Sequence, residues 1–402
     1  MITLADATAR VLATAAPLDA VELPLDAAGG LVLRHELVAR IDAPPFDASA
    51  MDGYAVRCAD LAGADSAPIE LTVVGTSSCG RPSPERVETG TAVRILTGAV
   101  VPAGADGVVP VEGTDGGSDR VVVRTEVAPG ACIRRRGEVS RLGDVLVAAG
   151  TQLHAGHLAL AASEGLDRLV VTRRPRVAVV STGDELVPPG RGPLGEGRIH
   201  DSNSTLMAEL ARSVGAEVLA GSAGDDADAL RVQLDELSGQ VDLLLTSGGV
   251  SMGAEFDPLR AAVAEHPVEF WQVAIKPAKP LAFGRLGGPD GAIYLGLPGN
   301  PFAVLVSFEL FVRPLLDALR GLPARPPRTV TGRAAHTIDH ADDDKTHLVP
   351  VRRLPTGEWS ANELVGSHAL VAGAAADALA VLDPSRHHVA AGDELTLLPL
   401  WR

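Results

Sequence analysis

The chain has 402 residues, 46% of them apolar, which is too long for one ordinary core and points to two to four domains. Its 51 acidic residues against 35 basic leave a net charge of −16, which argues against the non-specific phosphate-backbone attraction on which nucleic-acid binders rely. A small anionic substrate stays open wherever local positive charge or a metal is supplied. Cys58, Cys79 and Cys132 lie far apart, without metal-ligand spacing, and cannot form a closed disulfide set, which fits a reducing compartment. The N-terminus carries Asp6 in its first turn and lacks a basic-then-apolar leader pattern. The greasiest stretch, AVLVSFELFV, is interrupted by Glu309 and is too short to span a bilayer. The expectation is a cytoplasmic protein with neither a membrane nor a nucleic acid as partner.

In chain order, Thr3 and Asp6 resemble a capping box, followed by a helical stripe of Leu4, Ala7, Val11 and Leu12. From 41 to about 134 short apolar runs alternate with Gly, Pro and Asp turns and predict β structure. Residues 135–174 carry turns and one helix over 154–164. They are too few for a core of their own, so they are expected to pack back on residues 1–40 as one discontinuous domain. After Pro175 strands (RVAVVST, VLAG, VDLLLTS, IYLGLP) alternate with helices. One helix is expected over 203–214, stopped by Gly215, one starting at Asp225 or Asp226, and a long apolar one from Pro301 to about Leu319. Such alternation predicts a parallel sheet with helices on both faces over 175–322. Beyond the linker LPARPPR, residues 326–402 read as a small all-β domain.

Ligands of open α/β sheets bind beyond the carboxyl ends of the strands, and three features fall there. Thr182, Gly183, Asp184 and Glu185 follow the first strand. Ser247, Gly248, Gly249, Ser251 and Gly253 form a small loop whose glycines allow backbone N–H groups close to a phosphate, although tight turns use the same residues. In LGLPGNP, Pro298 and Pro301 fix the backbone and Asn300 is placed to cap the helix that starts at Pro301, whose N-terminus would face an anion. In AIKPAKPLAF, prolines 277 and 280 bias the segment to a polyproline-like path of three residues per turn, so Lys276 and Lys279 emerge on one side and suit a compact dianion. Asp201, Asp225 and Asp257 are each placed to cap a helix, the commoner role for such residues, whereas Glu185 has no such alternative. Carboxylates converging on a phosphate-bearing substrate would repel it unless Mg²⁺ bridged them. Asp52 before Gly53 and Thr97 before Gly98 have the local look of turn residues, and the scattered histidines, His387-His388 included, lack metal-ligand spacing.

The strings PPFDASAMDGYAVR, RILTGAVVPAGADGVVPVE, IRRRGE, STGDEL, SGGVSMG, IKPAKP and LPGNP stand in this order. Together they resemble the MoeA family of molybdopterin molybdenumtransferases, to which the gephyrin E domain is related. The resemblance implies an elongated, L-shaped, four-part subunit. Its parts are a discontinuous N-terminal domain (1–40 and 135–174), a β-rich domain (41–134), a central α/β molybdopterin-binding domain (175–322) and a small C-terminal β-barrel (326–402). It implies a homodimer whose active site lies between the α/β domain of one subunit and the second domain of its partner. It also implies the reaction, in which adenylylated molybdopterin and molybdate give molybdenum cofactor and AMP with Mg²⁺. By motif match, the family's important acidic and hydroxyl positions fall on Asp52, Thr97, Glu185, Asp225 and Asp257, its molybdate lysines on Lys276 and Lys279, and its loop prolines on Pro298 and Pro301. Three departures stand out: Val139 after Glu138, Ala303 in place of a serine, and a divergent GSHALVAGAAADAL that keeps Gly366 and Ser367.

The resulting expectation places molybdate on Lys276 and Lys279 and Mg²⁺ on Glu185 and Asp225, with Asp257 assisting and Asp52 and Thr97 reaching in from the partner. Substrate would arrive by transient handover from a molybdopterin adenylyltransferase. The alternatives are that adenylyltransferase itself, which would be a single compact domain, a non-catalytic gephyrin-like scaffold, and a paralogue of altered activity.

Overall fold

A computed structural model of the chain describes residues 1–224, 226–250, 257–288, 290–361 and 370–401. Two compact units emerge: Met1–His35, Ala149–Ala155 and Arg168–Arg402 form the first, Glu36–Ala148 and Gly156–Asp167 the second.

The first unit is built around a six-stranded sheet. Its order is Glu217–Ala223, Arg176–Thr182, Leu243–Ser247, Ile293–Leu297, Pro280–Arg285, Val268–Gln272. The first four strands are parallel, as expected. Pro280–Arg285 runs antiparallel to both of its neighbours, Ile293–Leu297 and Val268–Gln272, so the sheet is mixed rather than purely parallel. The reason is connection length: a parallel return needs a crossover of roughly a dozen residues or more, and neither 273–279 nor 286–292 provides one. Side chains alternate between two buried faces. Val177, Val179, Leu243, Leu245 and Leu295 join the core that includes Met207, Leu210 and Phe302. Ala178, Val180, Leu244 and Tyr294 face Leu230, Leu234 and Leu259.

Buried in the second of these cores, the Tyr294 hydroxyl lies 2.9 Å from Thr246 Oγ1, and desolvation pushes its pKa well above the usual phenol range. Thr246→Val strips that hydroxyl of its partner and is expected to cost about 1–3 kcal/mol, seen as a lower denaturant midpoint at unchanged slope.

Local signals account for the helices. Thr3 caps Leu4–Leu12 by accepting from Asp6 N at 3.0 Å, and Ala7 and Val11 are buried. The Asn203–Ser213 helix is followed by Gly215 at φ +85°. Asp226 caps Ala227–Ser238, accepting from Asp228 N and Ala229 N. The long apolar helix is not continuous. It runs as Pro301–Ser307, a π turn over Phe308–Val312, and Arg313–Leu319. Pro314 has no N–H to donate to Leu310, and the wider turn accommodates that missing bond.

A second six-stranded sheet in the same unit takes the order Ile275–Lys276, Thr346–Arg353, Ala378–Leu382, Glu394–Pro399, Val330–Arg333, with Trp359–Ala361 also paired to Thr346–Arg353. Among the described residues its far edges touch through one bridge, Ala334 to Trp359. Near the N-terminus Ala20–Pro24 pairs antiparallel with Arg168–Thr172.

In the second unit a five-stranded sheet runs Gly107–Pro110, Gly53–Val56, Thr91–Ile95, Ile69–Ser77, Arg120–Val123. Tyr54, Leu71 and Val109 fill one face and Ala55, Val93 and Ile95 the other. The buried Glu164 ties down a chain turn by accepting from Arg40 N at 2.7 Å and Ile41 N at 3.3 Å. No helix among the described residues is long and apolar enough to cross a membrane.

Candidate functional site

Register puts the strand-end loops side by side. Ser181 lies opposite Ser247, Ser247 opposite Leu297, and Thr182 opposite Ala223, so the four parallel strands end level. The loops then approach too closely for side chains. A Cβ at Gly248 would lie 2.9 Å from Thr182 Oγ1, and one at Gly249 would lie 2.5 Å from Leu259 Cβ. Gly248 and Gly249 also adopt φ of +104° and +66°, which glycine alone takes without strain.

Asn203, which the sequence reading did not single out, latches these loops. Its side-chain amide donates to Ser247 Oγ and to the Gly299 carbonyl, both at 2.7 Å, and Ser247 Oγ in turn donates to the Pro298 carbonyl at 3.2 Å. The orientation is fixed by chemistry, because the Gly299 carbonyl can only accept. Asn203 Oδ1 is left buried without a protein partner among the described residues. Asn203→Asp removes both donors and places a carboxylate against a carbonyl. About a tenfold or greater loss in kcat/KM is expected, with a loss in melting temperature at least as large as that of Asn203→Ala.

Two of the expected carboxylates serve as local caps. Asp257 caps Pro258–Ala262, accepting from Leu259 N at 3.0 Å and Arg260 N at 3.3 Å, and Asp201 accepts from Ser204 N at 3.0 Å. Glu185 folds back over Gly183, where a Cβ would stand 2.4 Å from its carboxylate, so that glycine is what lets it lie along the strand end. The Asp184 carboxylate approaches Gly224, and its carbonyl accepts from the Arg198 guanidinium. Asp225, Ser251, Gly253, Gly366 and Ser367 lie outside the described residues. Among the described residues no three His, Cys, Asp or Glu side chains converge to enclose a metal. Mg²⁺ needs fewer, since it keeps several waters and takes one or two carboxylates besides substrate phosphate. Asp184 and Glu185, together at one strand end, fit that demand.

Lys276 and Lys279 line one cavity of about 820 Å³ with Gly248, Gly249, Pro298 and Asn300. The polyproline path expected for them is not what brings them there. Ala278 has φ +78°, and Val273 N donates to the Lys279 carbonyl at 2.7 Å, so 273–279 closes as a tight turn. Asn300 stands at the N-cap position of the Pro301–Ser307 helix, yet its side chain makes no capping bond; its carbonyl accepts from Val304 N at 3.0 Å. Pro301 occupies the first turn as expected.

Further lining comes from the second sheet, and sequence reading missed it. Ile275–Lys276 pairs in parallel with Thr346 and His347, which brings Asp343, Lys345 and His347 into the cavity lining. Asp343 accepts from Lys345 Nζ at 2.8 Å, lies 2.8 Å from His347 Nε2 and 3.6 Å from Lys276 Nζ. Its bonds to Lys345 and then His347 hold its carboxyl far below the usual carboxylate range. Burial pushes the His347 imidazole pKa down against the opposing pull of Asp343. The one local hint was the acid run at 342–344 running straight into Lys345.

In the second unit, pairing of Gly53 with Ile95 sets Asp52 beside Thr97. Asp52 Oδ1 accepts from both Thr97 N and Thr97 Oγ1 at 2.7 Å. The backbone bond first, then the hydroxyl, lowers its pKa and keeps an exposed carboxylate ionised. These two residues, which look locally like turn formers, are thus a built pair.

The fold and its strand-end loops define a class. Residues 178–318 match the model of the probable molybdopterin binding domain, and residues 2–165 match the MoeA N-terminal region (domain I and II). A molybdopterin molybdenumtransferase of Haemophilus influenzae is 35% identical over 408 residues, covering 99% of this chain and 98% of that protein. Molybdopterin molybdenumtransferase 2 of Mycobacterium tuberculosis is 43% identical over 328 residues, 79% of this chain and 80% of that one. The crystal structure of the molybdopterin biosynthesis MoeA protein from Pyrococcus horikoshii superposes with a TM-score of 0.85 at 27% identity over 99% of both chains. The chain therefore belongs to the MoeA family of molybdopterin molybdenumtransferases.

Proposed function

We propose that this chain is a molybdopterin molybdenumtransferase, which inserts molybdenum from molybdate into adenylylated molybdopterin with release of AMP in molybdenum cofactor biosynthesis. The observation that carries the reading is a cavity lined by Lys276, Lys279 and Lys345 together with the Gly248–Gly249 and Pro298–Asn300 loops. Ammonium groups suit a compact dianion, and glycine loops at level strand ends suit a substrate carrying phosphates. Such a protein works by positioning and electrostatics, with no covalent intermediate on the chain.

In this reading Lys276 and Lys279 hold the oxyanion, and the backbone of Gly248 and Gly249 lies against the pterin substrate with Thr182, Ser247 and Ser251 around it. Asp184, Glu185 and Asp225 would hold Mg²⁺, which when bound offsets the phosphate charge. Asp257 belongs to the same edge, though capping occupies one of its oxygens. The reading includes a homodimer in which the Asp52–Thr97 pair of a second copy completes the site, a four-part subunit with the C-terminal sheet closed as a small barrel, and a cytoplasmic location. It also includes transient delivery of substrate by a molybdopterin adenylyltransferase. The test is AMP release from adenylylated molybdopterin and Mg²⁺ by purified protein, with and without molybdate. Release that depends on molybdate supports the reading, and no release at saturation overturns it.

A further inference from the structure

We propose that Asp343 is a resident counter-anion of the cavity, whose carboxylate holds the place among Lys276, Lys345 and His347 that an oxyanion must take, so that it sets oxyanion affinity and selects dianions over monoanions. The proposal rests on the reading of this cavity as the oxyanion site.

Geometry supports it. The Asp343 carboxylate contacts Lys345 Nζ and His347 Nε2 at 2.8 Å each and reaches Lys276 Nζ at 3.6 Å, and all four residues line the cavity. Polar partners from two different strands thus converge on one carboxylate, because Lys276 and His347 are register partners in a parallel pair. Asp343 and Lys345 sit in the turn that precedes Thr346–Arg353, with Asp344 at φ +51°, so the carboxylate is delivered by a loop, whereas Lys276 and His347 stand on two paired strands. A loop carboxylate can swing aside while Lys276 and His347 stay in place on their strands.

Charge arithmetic decides what displaces it. Of the lining residues among those described, Lys276, Lys279 and Lys345 face Asp343 alone, which leaves two ammonium charges uncompensated when His347 is neutral. An external monoanion would exchange like for like against a carboxylate that is tethered and so present at high effective concentration, and it gains little. A dianion interacts about twice as strongly with each ammonium and overcomes the tether. The carboxylate therefore lowers affinity for every anion but penalises monoanions most.

The experiment is titration calorimetry of the full-length chain with molybdate and with tungstate. It compares the native protein, Asp343→Asn, Asp343→Ser and Lys276→Gln, each checked by its melting curve. Both Asp343 variants are expected to bind molybdate about fivefold tighter or more, and nitrate should compete better against molybdate in them than in the native chain. Weaker or unchanged binding in the folded Asp343 variants overturns the proposal, since the carboxylate would then be orienting Lys345. In the native chain, competition by nitrate equal to that by sulfate at the same concentration overturns it too, with no variant needed. Lys276→Gln separates the two levels. If it binds molybdate as well as the native chain, the cavity is not the oxyanion site; if it loses binding while Asp343→Asn gains none, only the role of Asp343 falls.

Discussion

Lys276→Gln is expected to raise the KM for molybdate by about ten- to a hundredfold, the equivalent of one charge-assisted hydrogen bond of roughly 1.5–3 kcal/mol. The KM for adenylylated molybdopterin should stay within about twofold, because the lysine faces the oxyanion and not the pterin. The backbone does not depend on the ammonium. Lys276 is held by its pairing with His347, and the turn beyond it by the bond from Val273 N to the Lys279 carbonyl and by the bond from Thr346 N to the Ala274 carbonyl. Glutamine keeps the side-chain length and the strand, so the loss reports charge. Steady-state kinetics at varied molybdate, at saturating adenylylated molybdopterin, measures it. A variant whose KM for molybdate is unchanged while kcat collapses would show that Lys276 acts elsewhere than in holding the oxyanion. Lys279→Gln should behave alike, and the double variant should fall short of the product of the two, since both lysines share one ligand.

How much of this was legible beforehand follows the range of the forces involved. Caps are local: Thr3 with Asp6 and Asp257 before Pro258 depend on residues two or three apart and cap as their spacing implied, and Asp226, one of the two aspartates left open, caps Ala227–Ser238. Strands that feed the sheet were equally readable, because a strand buried on both faces is apolar throughout, as RVAVVST is. Strand direction was readable only through connection length, which the alternation pattern obscured. The lysine pair was found for the wrong reason: prolines 277 and 280 did mark a special backbone, but the left-handed Ala278 makes it a turn, and a turn also brings Lys276 and Lys279 to one cavity. Nothing local reveals that Ile275–Lys276 leaves the central sheet's hairpin to pair with Thr346 and His347, some seventy residues on. Asp343, Lys345 and His347 were invisible for that reason. Asn203 was hidden differently: placed at the start of a helix, it looks like a cap, and only the structure shows its amide turned toward Ser247 and Gly299.

Arg313→Met is expected to cost about 3 kcal/mol or more of stability. Glu309 has 1% of its side chain exposed and Arg313 12%, and the guanidinium meets the carboxylate through two bonds, Nε at 2.6 Å and Nη2 at 2.8 Å. Methionine fills similar volume but leaves the carboxylate buried and alone, which costs far more than the intact pair contributes. The matching double variant Glu309→Met with Arg313→Met removes both charges and should recover most of the loss. Urea midpoints of the native, single and double variants test this, and a single variant within about 1 kcal/mol of native would show that Glu309 is not dependent on its partner. The pair also sits where the helix widens, at Phe308–Val312, one turn beyond the segment whose Phe302 and Ala303 line the cavity. Its bidentate bond from 309 to 313 spans the point at which Pro314 withholds a backbone donor, so it holds in register a helix that the main chain alone supports poorly. Arg313→Met should therefore weaken molybdate binding as well as stability, whereas the double variant, refolded around an apolar contact, should restore stability more completely than it restores binding.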